Sequence, residues 1–297
     1  MASRSQSARR RRRYVGYPLE AAFLYLIYGI FIVLPLDTAS AFGGWIGRTI
    51  GPRLRASRKA RRNLDRAMPE LSEERRDEII TGMWDNLGRV MAEYPHLDQI
   101  WTRTDMIGGE IVDEIAASRQ KPTLFFSAHT GNWEVGLLGA ARHGLHVTAV
   151  YRRPNNPATS WLINKARSAI GSRMVPKGRD GAREVVATLR NKGAVCIMID
   201  QKMNDGIPVP FFGRDAMTAP ALAQLAFKYD CAVVPVFVER LEGAHFRLTV
   251  SPPLELIDSG DRNADIRALM TRINQMVEDR VRARPEQWLW LHRRWPD

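Results

Sequence analysis

The segment 129–134 reads His-Thr-Gly-Asn-Trp-Glu and holds the residue types needed for acid–base chemistry. It follows an apolar run, residues 123–128, that predicts a buried strand, so the histidine stands at a strand end and the carboxylate where the next helix begins. A carboxylate on one imidazole nitrogen leaves the other nitrogen free to accept a proton near neutral pH. The pattern predicts His129 as a general base oriented by Glu134, acting on a hydroxyl. The structural alternative is a histidine that packs in the core or caps a turn.

Two more apolar runs end in residues that could bind a substrate. Arg152 and Arg153 lie at the end of the second predicted strand, and Asp200 ends the third. The carboxyl ends of strands are where α/β proteins build their sites, so we expect the three strand ends to converge. Taken singly, each also has a structural explanation: solvated surface charge for the arginines and a capped turn for the aspartate.

Strands that alternate with helices predict an α/β fold, with a mixed, largely parallel sheet flanked by helices and an antiparallel pair late in the chain. Ser72 and Asp180 are predicted helix N-caps. The predicted strands span residues 122–127, 146–152, 194–200, 232–240 and 246–252. The predicted helices span residues 63–91 with a break at Pro69, 108–118, 131–143, 156–170, 182–191, 218–229 and 261–283.

The first 47 residues predict attachment to a membrane. A basic tail (1–13) precedes an apolar segment (14–47), which we interpret as a membrane-anchor helix, and a single folded domain would occupy 48–297. As a helix with a rise of ~1.5 Å per residue, the uncharged part, 21–36, is shorter than the ~30 Å hydrocarbon core of a bilayer. Two arrangements of the anchor therefore stay open: a helix that crosses the membrane and a helix that lies in one leaflet. A signal peptide is disfavoured because apolar character continues beyond the nearest small-residue site, at 39–41.

The net charge of +12 and the pI of about 10.2 predict an anionic partner. Anionic lipid headgroups and an acidic carrier protein both satisfy this charge. Nucleic acid is the weaker alternative because it gives the apolar segment no role. Cys196 and Cys231 lie in apolar runs and predict reduced core thiols in a domain facing the cytosol. No metal site is expected, since no Cys/His cluster has zinc spacing.

The ordered motifs of this chain resemble the lauroyl/myristoyl acyltransferases of lipid A biosynthesis. The hexapeptide 129–134 resembles the family's His-x4-Asp/Glu signature, and the resemblance extends over nearly the whole chain. The other matching elements are Asn63-Leu64 with Pro69-Glu70, Tyr151-Arg152, Arg167, Asp200-Gln201, Pro210-Phe211-Phe212-Gly213, Val234-Pro235-Val236 and the closing segment 286–295.

This resemblance implies transfer of a fatty acyl group from acyl carrier protein to a hydroxyl of a lipid A precursor. It implies catalysis by His129 and Glu134, and the peptide groups at Gly131 and Asn132 are candidate oxyanion donors. Binding of the phosphorylated acceptor is implied for Arg152, Arg153, Arg167 and Asp200. No cofactor is expected beyond the carrier-protein thioester, and the implied location is the bacterial inner membrane, facing the cytoplasm. Other lipid acceptors (a lysophospholipid, an ornithine lipid or an inositol mannoside) and a non-catalytic membrane protein of this fold remain alternatives.

Overall fold

The computed structural model describes residues 16–152, 154, 156–167 and 170–295. The predicted basic tail and Arg153 therefore lie outside the described residues. The strands are β1 (Thr104–Ile107), β2 (Thr123–Ser127), β3 (Val147–Tyr151), β4 (Arg173–Pro176), β5 (Ala194–Met198), β6 (Ile207–Phe211), β7 (Arg214–Thr218), β8 (Ala232–Arg240) and β9 (Phe246–Val250). The α-helices are α1 (Tyr17–Val33), α2 (Leu36–Ile50), α3 (Ser57–Ala67), α4 (Glu73–Glu93), α5 (Leu97–Ile100), α6 (Gly109–Ser118), α7 (Glu134–Arg142), α8 (Pro157–Arg167), α9 (Arg179–Arg190), α10 (Ala221–Tyr229) and α11 (Arg262–Ala283).

A seven-stranded sheet forms the centre of the fold, in the order β1-β9-β8-β2-β5-β3-β4. β8 and β9 pair antiparallel, and the other neighbours in this sheet pair parallel. The predicted mixed, largely parallel sheet with a late antiparallel pair is thus confirmed. Every residue of β2 is buried, as expected for a parallel strand with both faces covered by helices.

Three features of the sheets were not predicted from the sequence. β1 and β4 have only four residues each, too few for a clear pattern. β6 and β7 form a separate antiparallel hairpin whose first strand contains Pro208 and Pro210. The two residues that join them, Phe212 and Gly213, both have positive φ angles, which suits a tight two-residue hairpin turn.

Of the two predicted helix caps, one is confirmed and one is wrong. The Ser72 side chain accepts a hydrogen bond from the Arg75 N–H (3.2 Å) at the start of α4. At α9 the residue before the helix is Gly178, with a φ of 137° that an L side chain rarely adopts. Asp180 therefore lies inside the first turn of α9 instead of capping it.

The predicted anchor forms two helices, which corrects the expectation of a single one. α1 ends at Val33 and α2 begins at Leu36 because Pro35 disfavours helical geometry in the residue before it. None of the helices in the described part of the chain is both long and apolar enough to cross a membrane.

The second half of the predicted anchor packs closely against α4. A Cβ atom at Gly47 would lie 2.0 Å from the carbonyl oxygen of Trp84, and one at Gly88 would lie 2.1 Å from that of Gly43. These distances are far below van der Waals contact, so the two helix backbones touch where glycine removes the side chain. α2 is therefore joined to the body of the protein, whereas α1 exposes most of its large apolar residues.

Candidate active site

His129 and Asp200 meet at the carboxyl edge of the sheet because β2 and β5 are neighbours. Ser127 pairs with Met198, and the Ile199 N–H extends the ladder to the Ser127 carbonyl oxygen (3.1 Å). One step further, Asp200 Oδ2 accepts from the His129 backbone N–H and Asp200 Oδ1 bonds His129 Nδ1, both at 2.8 Å. Asp200 is buried, so the imidazole is fixed by a carboxylate that is itself rigidly held.

The charge of Asp200 favours the protonated form of His129. Burial opposes the charged imidazolium, but the charge and hydrogen bond of Asp200 outweigh it and raise the pKa of His129 above its ordinary value. The same contacts overcome burial at Asp200 and hold the pKa of that carboxyl well below its usual range. His129 Nδ1 is engaged by Asp200, which leaves Nε2 to accept a proton.

Glu134 is not the carboxylate on His129 Nδ1, which corrects its predicted orienting role. Its two oxygens accept a fork of hydrogen bonds from Arg167 of α8, at 2.9 Å from Nε and 2.5 Å from Nη2. Tyr94 Oη and Trp133 Nε1 also donate to Glu134 Oε1, at 2.7 and 3.1 Å. Glu134 is buried, so this fork ties the beginning of α7 to the end of α8.

Two residues predicted to bind substrate are instead bonded to other side chains of the protein. Arg167 was expected to hold acceptor phosphate, but its guanidinium is paired with Glu134, whose charge raises the pKa of Arg167 despite burial. Asp200, a predicted substrate residue, instead bonds His129 and accepts a hydrogen bond from Trp288 Nε1 (2.8 Å). The orienting position on His129 is thus occupied by Asp200.

The turn between His129 and α7 rests on a buried polar network. Asn132 Nδ2 donates to Glu93 Oε2 (2.9 Å), and Arg240 donates to both Glu93 oxygens, at 2.5 and 3.0 Å. Asn86 Nδ2 donates to the Gly131 carbonyl oxygen (2.9 Å) and accepts from Arg240 Nε (2.8 Å). A paired and hydrogen-bonded charge cluster of this kind holds the turn in one conformation.

The network changes the set of candidate oxyanion donors. The Gly131 N–H donates to the Gln287 carbonyl oxygen (3.2 Å), so it is already engaged. The Asn132 side chain is engaged too, because Nδ2 bonds Glu93 and Oδ1 accepts from the Glu134 N–H (3.2 Å). Of the two predicted positions, the main-chain N–H of Asn132 stays a candidate.

The closing segment forms one wall of the site, a role that the residues alone did not predict. The Leu289 N–H donates to the His129 carbonyl oxygen (3.1 Å), and Thr130 forms an isolated bridge with Trp288. The His292 ring lies 5.8 Å from that of His129, centroid to centroid, and its Nε2 is 3.4 Å from Gln201 Nε2. The Trp133 ring lies 5.2 Å from His129. The sequence signal for this wall is the dense Trp/His/Arg composition of 286–295.

Arg152 is exposed and follows β3, which pairs with β5 in the sheet. Burial lowers the pKa of His292, and the positive charges of His129, Lys59 and Arg152 lower it further. The charge of Arg152 thus reaches His292, whose ring lies 5.8 Å from that of His129. Its contact with acceptor phosphate stays a prediction, and its neighbour Arg153 lies outside the described residues.

The cysteines take no part in the arrangement around His129. Burial raises the pKa of Cys196 to about 12, which leaves its thiol protonated at neutral pH. Within the described ranges, no group of three or more His, Cys, Asp or Glu side chains is placed to hold a metal ion.

Comparison with known proteins gives a consistent family match. A sequence model described as bacterial lipid A biosynthesis acyltransferase matches residues 7–297. A lipid A biosynthesis acyltransferase of Haemophilus influenzae is 24% identical over 300 residues, covering 93% of this chain and 91% of that protein. A lipid A biosynthesis myristoyltransferase of Escherichia coli is 28% identical over 259 residues, covering 84% of this chain and 76% of that protein.

Among solved structures, the 1-acyl-sn-glycerophosphate acyltransferase of Thermotoga maritima is similar with a TM-score of 0.35 and 13% identity, over 90% of this chain and 98% of that one. That likeness is too low to support any statement about the site.

Proposed function

The chain belongs to the bacterial lipid A biosynthesis acyltransferase family and is an acyltransferase, and we propose that it transfers a fatty acyl group from acyl carrier protein to a hydroxyl of a lipid A precursor. The observation that carries the proposed mechanism is the hydrogen-bonded pair of His129 and Asp200 at the carboxyl edge of the sheet. A base held by a buried carboxylate is what attack by an alcohol requires.

In the proposed reaction, His129 Nε2 accepts the proton of the acceptor hydroxyl as its oxygen forms a bond to the thioester carbonyl carbon. Asp200 stabilises the resulting imidazolium. The tetrahedral intermediate then collapses with cleavage of the carbon–sulfur bond, and the imidazolium returns its proton to the leaving thiolate. The Asn132 main-chain N–H, just before α7, is the proposed donor to the oxyanion. The route needs no cofactor, because the thioester supplies the activated acyl group.

Arg152 is the proposed contact for acceptor phosphate, since it is exposed beside the strand edge that carries Asp200. Its guanidinium can bind a phosphate through two hydrogen bonds, a geometry that lysine cannot reproduce. Arg153 is proposed for the same role on the sequence alone.

We also propose that the enzyme works at the cytoplasmic face of the bacterial inner membrane. The support is a run of apolar side chains that α1 exposes along one face: Leu19, Phe23, Leu26, Ile30 and Val33. Their spacing of four and three residues is that of a single helix face. In the proposed membrane association, the apolar interior of the bilayer would bury this face.

Radiolabelled acyl-acyl carrier protein and a lipid A precursor in non-ionic detergent provide the test. We expect labelled acylated lipid from the full chain, and a loss of about 10²–10⁴-fold in kcat for His129→Ala, the contribution of a positioned base. His146→Ala is the matched control, because His146 is exposed just before the amino end of β3, at the other end of the strands. A normal kcat in His129→Ala would overturn the mechanism. Label appearing only in a lysophospholipid, ornithine lipid or inositol mannoside offered in parallel would overturn the proposed acceptor.

A further inference from the structure

α3 and the turn before it carry three exposed arginines. Arg58 and Arg62 are four residues apart and therefore share one face of α3; together with Arg55 in the turn before the helix, they are here called the basic face. Within the part of the chain that the structure describes, none of the three has an ion-pair partner, whereas Arg61 pairs with Glu73 and Asp77. The basic face is therefore an uncompensated positive surface.

The opposite side of α3 connects this surface to the active site. Asn63 Nδ2 donates to the carbonyl oxygens of Trp290 and His292, at 2.7 and 2.5 Å. The same stretch of chain places the His292 ring 5.8 Å from His129, and the charge of Lys59, one turn before Asn63, reaches His292. The basic face thus borders the wall of the site that 286–295 forms.

The other flank of the site is apolar. Tyr25 of α1 stacks on Trp161 of α8, with ring centroids 5.8 Å apart, and α8 carries the Arg167 that grips Glu134. The exposed apolar face of α1 is therefore linked to the site through α8, and the basic face is linked to it through the closing segment.

Because the two flanks differ in chemistry, we propose that the acidic acyl carrier protein docks on the basic face of Arg55, Arg58 and Arg62, while the lipid acceptor enters from the α1 side. This proposal rests on the proposed use of a carrier-protein donor. Positive charge on one surface and negative charge on its partner favour encounter and fix orientation. A carrier docked beside α3 presents its thioester from the side of His292, opposite the flank that carries Arg167.

The competing occupant of the basic face is an anionic membrane surface. Ile50 and Leu54 expose apolar side chains shortly before Arg55, so lipid headgroups could reach the same arginines. We favour the carrier because α1, which exposes the long apolar face, packs on α8 on the other flank of the site.

The test compares two donors on the full chain, with the acceptor in non-ionic detergent. One donor is acyl-acyl carrier protein, and the other is the same acyl group on free pantetheine, which lacks the acidic protein. For Arg58→Glu/Arg62→Glu we expect KM for the carrier-protein donor to rise about five- to tenfold, as for the loss of two surface charge pairs, with kcat and the pantetheine reaction unchanged. Raising the salt concentration should weaken the wild-type preference for the carrier in the same direction.

The matched control is Arg190→Glu/Arg267→Glu, which changes the net charge equally on exposed positions of α9 and α11. Arg190 ends α9 shortly before the amino end of β5, at the opposite end of that strand from Asp200. This control should leave both donors unaffected. Sedimentation with phosphatidylglycerol vesicles is measured for all three proteins and should not change for the Arg58/Arg62 variant.

Three outcomes would overturn the docking proposal. An unchanged KM for the carrier donor in the Arg58/Arg62 variant removes it while leaving the carrier-protein donor intact. Loss of vesicle binding with unchanged donor kinetics assigns the basic face to lipid headgroups. A wild-type enzyme that uses the pantetheine and carrier thioesters equally well overturns the proposed donor itself, and the docking proposal with it.

Discussion

At the scale of single residues, the central finding is which carboxylate holds His129. The sequence places Glu134 five residues from the histidine, yet the bond to His129 Nδ1 comes from Asp200, which is 71 residues away. The pairing depends on β5 lying beside β2, with β3 inserted between them in the sequence but not in the sheet. The polar residues at the strand ends were therefore predictable, but their partners required the order of the strands.

The His129–Asp200 bond makes a prediction about pH dependence. In the proposed mechanism the imidazole of His129 must be neutral, so we expect kcat/KM to fall as the pH falls through the raised pKa of His129. In Asp200→Asn the negative charge that raises this pKa is lost, and the acid limb of the profile should move to lower pH. The maximal rate should also fall about 10²–10⁴-fold, because the tautomer is no longer fixed.

Steady-state kinetics of Asp200→Asn across a pH series checks this, with Asp205→Asn, at an exposed position, as the control. A lower rate with an unmoved acid limb would mean that Asp200 supports the fold without acting on the base.

The ion pair of Glu134 and Arg167 makes a separate prediction about stability. Both side chains are largely removed from solvent, so losing one partner leaves an uncompensated charge that costs about 3–5 kcal/mol. We expect Glu134→Gln and Arg167→Gln each to lower the free energy of unfolding, and the double variant to lose less than their sum. Urea unfolding measures all three. If Arg167→Gln keeps full stability and only raises KM for a phosphorylated acceptor, the original expectation of a phosphate contact is restored.

At the scale of elements, glycines decide how α2 sits on α4. Gly88 brings the two backbones so close that a Cβ atom would lie 2.1 Å from the Gly43 carbonyl oxygen. Gly88→Ala should therefore force the helices apart and destabilise the protein by about 1–3 kcal/mol, the usual cost of overpacking. Gly29→Ala on α1 is the matched control: nothing lies within 4 Å of the added Cβ, so only helix propensity changes, in favour of alanine. Thermal unfolding compares the two, and equal effects would show that the α2–α4 contact tolerates a wider spacing.

Element positions followed from the sequence where patterning was long and failed where packing decided. The buried runs of β2, β5 and β8 and the periodicity of α11 placed those elements correctly. The four-residue β1 and β4 gave no pattern to detect. The apolar segment 14–47 predicts a single anchor because its second half is also apolar and rich in glycine. Those glycines pack on α4, and an apolar pattern alone does not reveal which element a glycine contacts.

At the scale of the whole molecule, the site lies between surfaces of different chemistry. α1 exposes an apolar face, and α3 carries a basic one. The proposed reaction joins a water-soluble acidic donor to a membrane lipid, and it requires contact with both phases in a single encounter. α1 contacts α8, which carries Arg167, and α3 contacts the closing segment, which carries His292. The docking proposal therefore gives each substrate its own side of approach to His129.

The apolar face of α1 makes the last prediction. Phe23 and Leu26 are 63% and 64% exposed, and burying either side chain in a bilayer stabilises attachment by about 1.5–3 kcal/mol. Phe23→Glu/Leu26→Glu should therefore weaken binding of the full chain to phosphatidylglycerol vesicles by more than about a hundredfold at any salt concentration. High salt alone should not release the wild-type protein, because the proposed attachment is hydrophobic as well as electrostatic. Activity on acceptor dissolved in detergent should persist in the variant, since α1 supplies no residue to the His129–Asp200 pair. Release of the wild-type protein by salt alone would mean that its charge holds it to the membrane and that the exposed face of α1 is covered by protein instead.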